Sequence, residues 1–76
     1  PLKSSVLGIE TYDWTVVTHT DPGAAPLIAR LLCSCGNSDG ILGTVAGDDT
    51  IFIFPVMGVN SHQLQQSVIS ILHSDG

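Results

Sequence analysis

The sequence predicts an α+β fold: a ββαββα two-layer sandwich in which a four-stranded, mostly antiparallel sheet carries two helices on one face. Four short segments are rich in β-branched and aromatic residues and are separated by turn residues. Two further segments carry apolar residues at helical spacing. The order β-β-α-β-β-α closes most simply as a sheet layer and a helix layer. With 76 residues in all, we expect one domain spanning residues 1–76.

The first two strands are predicted at residues 5–11 and 14–20. Val6, Leu7 and Ile9 give the first its strand character, and the second is β-branched through most of its length. Tyr12-Asp13 between them is the predicted turn, so the two strands form a hairpin.

The first helix is predicted from Gly23 or Ala24 to residue 35. Pro26 has no N–H to donate, so it belongs in the first turn of the helix and not in its interior. Gly36-Asn37 supplies the C-terminal stop, where a left-handed residue is needed. The apolar stripe expected to face the core consists of Leu27, Ile28, Leu31, Leu32 and Cys35.

The second hairpin follows a turn at residues 38–40, with strands at 41–46 and 50–56. Gly47-Asp48-Asp49 joins them, and such residues tolerate the positive φ that tight hairpins demand. The last helix starts after Asn60, which with Gln63 forms a capping box. Its predicted buried stripe is Leu64, Val68, Ile71 and Leu72.

Charge is scarce in this chain. Charged residues make up 12% of the sequence, against about 25% in an ordinary soluble domain. So few charges cover little of the surface, and one sheet face carries no helix. We therefore expect the chain to be a subunit of an oligomer, with the subunit contacts on the sheet side.

The balance of charge excludes nucleic-acid binding by this chain alone. Seven acidic residues face two basic ones, Lys3 and Arg30, and phosphate recognition depends on Lys and Arg. Residues 51–59 form the longest apolar run, far short of the about 20 residues of a membrane span. Cys33 and Cys35 lie too close in sequence to staple the fold, which suits free thiols in a reducing cytoplasm.

The adjacent carboxylates of Asp48 and Asp49 are the sharpest candidate for binding chemistry. Aspartate is also a common turn residue, and that explanation suffices for most chains. The functional interpretation is a site for a cation, either a metal or the guanidinium and ammonium groups of a ligand. A metal needs further ligands nearby, and the spacing supplies none convincingly. Arg30 is expected on the surface of the first helix. Because the chain has so few charges, the group with which this only arginine pairs becomes important.

No catalytic set is predicted. His19, His62 and His73 fall on different elements, with His62 and His73 expected on the solvated side of the last helix. The Cys33-x-Cys35 pair points its thiols to different helix faces. An enzyme of the pterin dehydratase type shares this order of elements, but its chemistry relies on clustered histidines.

Three stretches resemble the C-terminal domain of the bacterial arginine repressor family: HTDPGAA at residues 19–25, LIARLL at 27–32 and GILGTVAGDDTIF at 40–52. The GTVAGDDT portion is the specific part. The resemblance implies a cytoplasmic regulator of arginine biosynthesis genes that assembles as a trimer and then as a dimer of trimers. It also implies L-arginine as corepressor, no metal, and DNA binding only through an N-terminal winged helix-turn-helix absent from this chain.

Carried over residue by residue, the resemblance makes Asp48 and Asp49 the acidic pair that meets the charged groups of arginine. Thr44 and Ala46 lie near the ligand on the adjoining strand, and Asp21 is a further candidate for lining the pocket. Two pocket positions depart from the family: Pro26 replaces a polar residue, and Cys33 replaces an aspartate. The alternative function is therefore a structural oligomerisation module that has lost or changed its amino-acid ligand.

Overall fold

A computed structural model describes residues 2–35 and 39–75 of the chain. The predicted order of elements is confirmed, with a short 3-10 turn ahead of the first strand. The bounds are Leu2–Ser5 for that turn, Val6–Tyr12 for β1, Thr15–Thr20 for β2, Ala25–Cys35 for α1, Ile41–Ala46 for β3, Thr50–Pro55 for β4 and Ser61–Asp75 for α2. The four strands form one antiparallel sheet in the order β1-β2-β4-β3.

The core lies between the sheet and the two helices. Val16 pairs with Ile53 across β2 and β4, and both side chains are fully buried beneath the helices. Because successive strand residues point to opposite faces, Phe52 lies on the other face, between Val17 and Val45. The helices contribute to the core mainly Ala25, Ile28, Ala29, Leu32, Leu64, Val68, Ile71 and Leu72.

The first hairpin turns one residue later than predicted. Tyr12 pairs with Thr15, so the connecting residues are Asp13 and Trp14 and not Tyr12-Asp13. Asp13 adopts φ 51, a left-handed conformation that aspartate tolerates better than most residues. Trp14 leaves the strand and its ring lies 5.5 Å from the ring of Phe54, centroid to centroid.

Helix α1 starts at Ala25, slightly later than predicted, and Pro26 lies in its first turn as predicted. The expected stripe is partly wrong: Leu27 is 55% exposed, and small residues, Ala25 and Ala29, take buried places beside Ile28 and Leu32. Alanine at these positions lets the helix backbone approach the sheet. The Cys35 side chain, Gly36-Asn37 and Ser38, all used in the predictions, lie outside the described residues.

The prediction for α2 is confirmed in detail. The N–H of Gln63 donates to Asn60 Oδ1 at 2.9 Å, and the N–H of Asn60 donates to Gln63 Oε1 at 3.0 Å. These reciprocal bonds satisfy two donors that a helix start leaves unpaired. The predicted apolar stripe of α2 is buried throughout. Strand β4 ends at Pro55, one residue before its predicted end.

Candidate functional site

The acid pair lies in the connection between β3 and β4, as predicted. Both Asp48 and Asp49 are exposed. The N–H of Gly47 donates to the carbonyl of Thr50 at 2.8 Å, and the Thr50 hydroxyl donates to Asp49 Oδ1 at 3.1 Å. The expected positive φ is wrong, because none of residues 47–49 adopts one.

Residues 20–25, from the last residue of β2 to the first residue of α1 and called the β2–α1 segment below, also hold this connection. The N–H of Thr20 donates to the Asp49 carbonyl at 2.8 Å. The N–H groups of Gly23 and Ala25 donate to the Asp48 carbonyl at 3.1 and 3.3 Å. The connection is therefore held by contacts from the β2–α1 segment in addition to its own bonds between residues 47–50. No pattern in the sequence predicts this arrangement.

The other candidate residues of β3 face α1. Thr44 and Ala46 pair with Ile53 and Ile51, whose side chains are buried under the helices, so all four share the helix-bearing face of the sheet. Cys33 Sγ lies 3.2 Å from Thr44 Oγ1 across the border between α1 and β3. The structure thus brings Cys33 and Thr44 together.

Pro26, Arg30 and Cys33 recur at intervals of four and three residues, which places them on one side of α1. All three are exposed, and the contact from Cys33 to Thr44 shows that this side borders β3. Asp21 is also exposed, and its N–H donates to the carbonyl of Ser5 at 2.8 Å. One border of the molecule therefore carries a guanidinium, a thiol and a hydroxyl, with the acid pair at the end of the same strand.

A second cluster of polar side chains lies on the open face of the sheet, the face that carries neither α1 nor α2. His19 Nε2 and Glu10 Oε1 are 2.9 Å apart, and the Tyr12 hydroxyl donates to the same carboxylate oxygen at 3.2 Å. The Glu10 charge, together with that hydrogen bond, holds the pKa of Tyr12 above its ordinary value. The alternation of side chains along β1, which places Glu10 and Tyr12 on one face, is the signal in the sequence that could have predicted this group.

The remaining candidates are dispersed as expected. His62 and His73 are exposed on α2, away from His19 on β2. Within residues 2–35 and 39–75, no group of three or more His, Cys, Asp or Glu side chains is arranged to hold a metal ion. Neither helix in that part of the chain is long and apolar enough to cross a membrane.

A family model described as the arginine repressor, C-terminal domain, matches residues 2–71. The match includes both hairpins, α1, the acid pair and the β2–α1 segment that holds it. In this family the C-terminal domain is the regulatory part of the repressor, with a role in oligomerisation and arginine binding. Since the match spans nearly the whole sequence, this chain belongs to the arginine repressor C-terminal domain family.

Proposed function

We propose that this domain senses L-arginine as corepressor at the contact between two trimers and so controls arginine metabolism genes. DNA contact is assigned to a separate N-terminal domain of the repressor, because the 76 residues carry only two basic side chains. The observation that carries the proposal is the exposed acid pair, Asp48 and Asp49, at the end of β3 in a member of this family.

The physical basis is electrostatic. Six copies of the acid pair converging between two trimers repel one another and oppose assembly. An arginine between them supplies a guanidinium, which stays protonated and positively charged at neutral pH. This group makes bidentate hydrogen bonds to a carboxylate. A ligand that binds only the assembled form stabilises it by mass action, by about 2.7 kcal/mol per site at a hundred times Kd.

Arg30 is proposed as the internal substitute for the ligand. It is exposed on the side of α1 that borders β3, the strand leading to the acid pair. In the ligand-free state its guanidinium can form an interface ion pair with a carboxylate of the facing trimer. Arginine binding then displaces this contact and fixes the arrangement of the two trimers.

The trimer contact is assigned to the open face of the sheet. Phe52 and Val45 are 45% and 59% exposed there, and no helix of the described chain covers them. Burying such apolar side chains is favourable by about 25 cal/mol per Å². This assignment explains why the chain has so few charges, because a sheet face that is buried between subunits needs no charged residues to face water.

Sedimentation of the 76-residue chain across an arginine series tests the proposal. We expect the mass to shift from trimer to hexamer as arginine is added, with a parallel rise in Tm, because arginine binds the assembled form. Lysine at equal concentration is the control for ionic strength and has no planar guanidinium. A mass and Tm that do not respond to arginine would refute the sensing role and favour the structural module.

The structural module remains the second candidate because of Cys33. Its thiol contacts the Thr44 hydroxyl at 3.2 Å, and it is a neutral group at a position where the resemblance to the family implies an aspartate. Cys33→Asp is expected to tighten arginine binding about three- to tenfold, since a further carboxylate at this border attracts the guanidinium. Cys33→Asn, which adds the same shape without charge, is the matched control.

Titration calorimetry of both variants measures the effect. Equal affinities for the aspartate and asparagine variants would show that the side chain at position 33 does not reach the ligand.

A further inference from the structure

The main-chain bonds at the acid pair come from outside its own turn. Asp48 and Asp49 each use a carbonyl to accept hydrogen bonds from the β2–α1 segment, three bonds in all, at 2.8, 3.1 and 3.3 Å. The donors at Gly23 and Ala25 meet on the single carbonyl of Asp48. Ala25 is the first residue of α1, whose N–H has no partner within the helix. The position of the acid pair therefore follows the position of this segment.

Gly23 sets the path of that segment. It adopts φ +81, which L side chains rarely adopt. A Cβ added at Gly23 would meet no atom within 4 Å. A side chain at this position is thus opposed by backbone strain alone and not by a clash. Relieving that strain rotates the peptide carrying the N–H that donates to Asp48.

We propose that Gly23 is a positioning residue for the acid pair: its left-handed backbone directs the N–H groups of residues 23 and 25 onto the Asp48 carbonyl and so fixes where both carboxylates stand. This role rests on the proposed function, in which those carboxylates receive arginine. The proposal adds to the site a residue, Gly23, that has no side chain to contact the ligand and acts only through its backbone. Small displacements of charged groups at a binding site have large effects on recognition.

Gly23→Ala tests the proposal, with Gly58→Ala as the matched control. Gly58 has φ +90 and likewise leaves open space around an added Cβ, but it lies in the connection between β4 and α2. Both changes impose similar backbone strain, and we expect both to lower Tm to a similar extent. By calorimetry, Gly23→Ala is expected to weaken arginine binding about tenfold or more, while Gly58→Ala leaves the affinity within twofold of the parent.

Gly23→Asn supplies a graded variant that keeps the test decisive if Gly23→Ala folds poorly. Asparagine tolerates the left-handed region better than alanine, so its affinity for arginine is expected between those of the parent and Gly23→Ala. Equal affinities for all the Gly23 variants and Gly58→Ala would overturn the positioning role, while arginine binding by the parent chain leaves the proposed function intact.

Amide signals of Asp48 and Asp49 in the ligand-free protein separate the two ideas further. We expect NMR spectra in which Gly23→Ala moves both signals and Gly58→Ala moves neither. Unmoved signals in Gly23→Ala would overturn the inference whatever the parent chain does with arginine. A parent chain that binds no arginine would refute the proposed function and the role of Gly23 in it, and the amide signals would still decide whether the two segments are coupled.

Discussion

Asp48→Asn is expected to abolish the response of this domain to arginine. The change removes one negative charge and keeps the size and shape of the side chain. The N–H groups of Gly23 and Ala25 donate to the main-chain carbonyl of Asp48 and not to its side chain, so these hydrogen bonds are retained in the variant. In the proposed contact between two trimers Asp48 is buried against the ligand, and losing one partner of a buried charge pair costs about 2–5 kcal/mol, which weakens binding by a factor of about 30 or more. Calorimetry and sedimentation with arginine measure the loss.

Asp13→Asn is the matched control for this change. Asp13 is an exposed aspartate in the β1–β2 turn, at the opposite end of the sheet, and its φ of 51 suits asparagine as well as aspartate. The control makes the same change in net charge. An arginine titration of Asp48→Asn that matches that of Asp13→Asn would remove the site assignment.

Local interactions made much of the fold predictable. Asn60 and Gln63 are three residues apart, and their mutual bonds follow from that spacing. The position of Pro26 in α1 follows from its missing N–H. The placement of Phe52 on the opposite face from Ile51 and Ile53 follows from the two-residue period of a strand, whereas which of the two faces is buried is seen only in the structure, because all three residues are apolar.

Contacts between distant segments were beyond prediction. The turn at Asp48-Asp49 is held by N–H donors more than twenty residues earlier in the chain, and no local pattern encodes those bonds. The exposure of Leu27 was missed for another reason: the buried residues Ala25, Ile28, Ala29 and Leu32 do follow helical spacing, but two of them are alanines, which the choice of large apolar residues passed over. The sequence therefore predicted that Asp48 and Asp49 lie in the connection between β3 and β4, but not what fixes their positions. Their role in binding a ligand stays a prediction.

Phe52→Glu is expected to break the assembly into monomers. Phe52 lies at the centre of the open face, flanked across the sheet by Val17 and Val45. It is 45% exposed in the single chain and lies outside the core, so the fold tolerates a polar residue there. In a trimer built on this face, three added carboxylates converge and lose their hydration. Unpaired charge at such a contact is strongly unfavourable.

Gln66→Glu is the control, since it adds the same charge at an exposed position on α2, in the other layer of the molecule. Circular dichroism establishes that both variants keep the α+β fold, and sedimentation then reports their mass. We expect Phe52→Glu to sediment as a monomer that no longer assembles with arginine, while Gln66→Glu matches the parent. A folded Phe52→Glu variant with the mass of the parent oligomer would show that the subunits meet elsewhere, and the few charges of this chain would then need a different explanation.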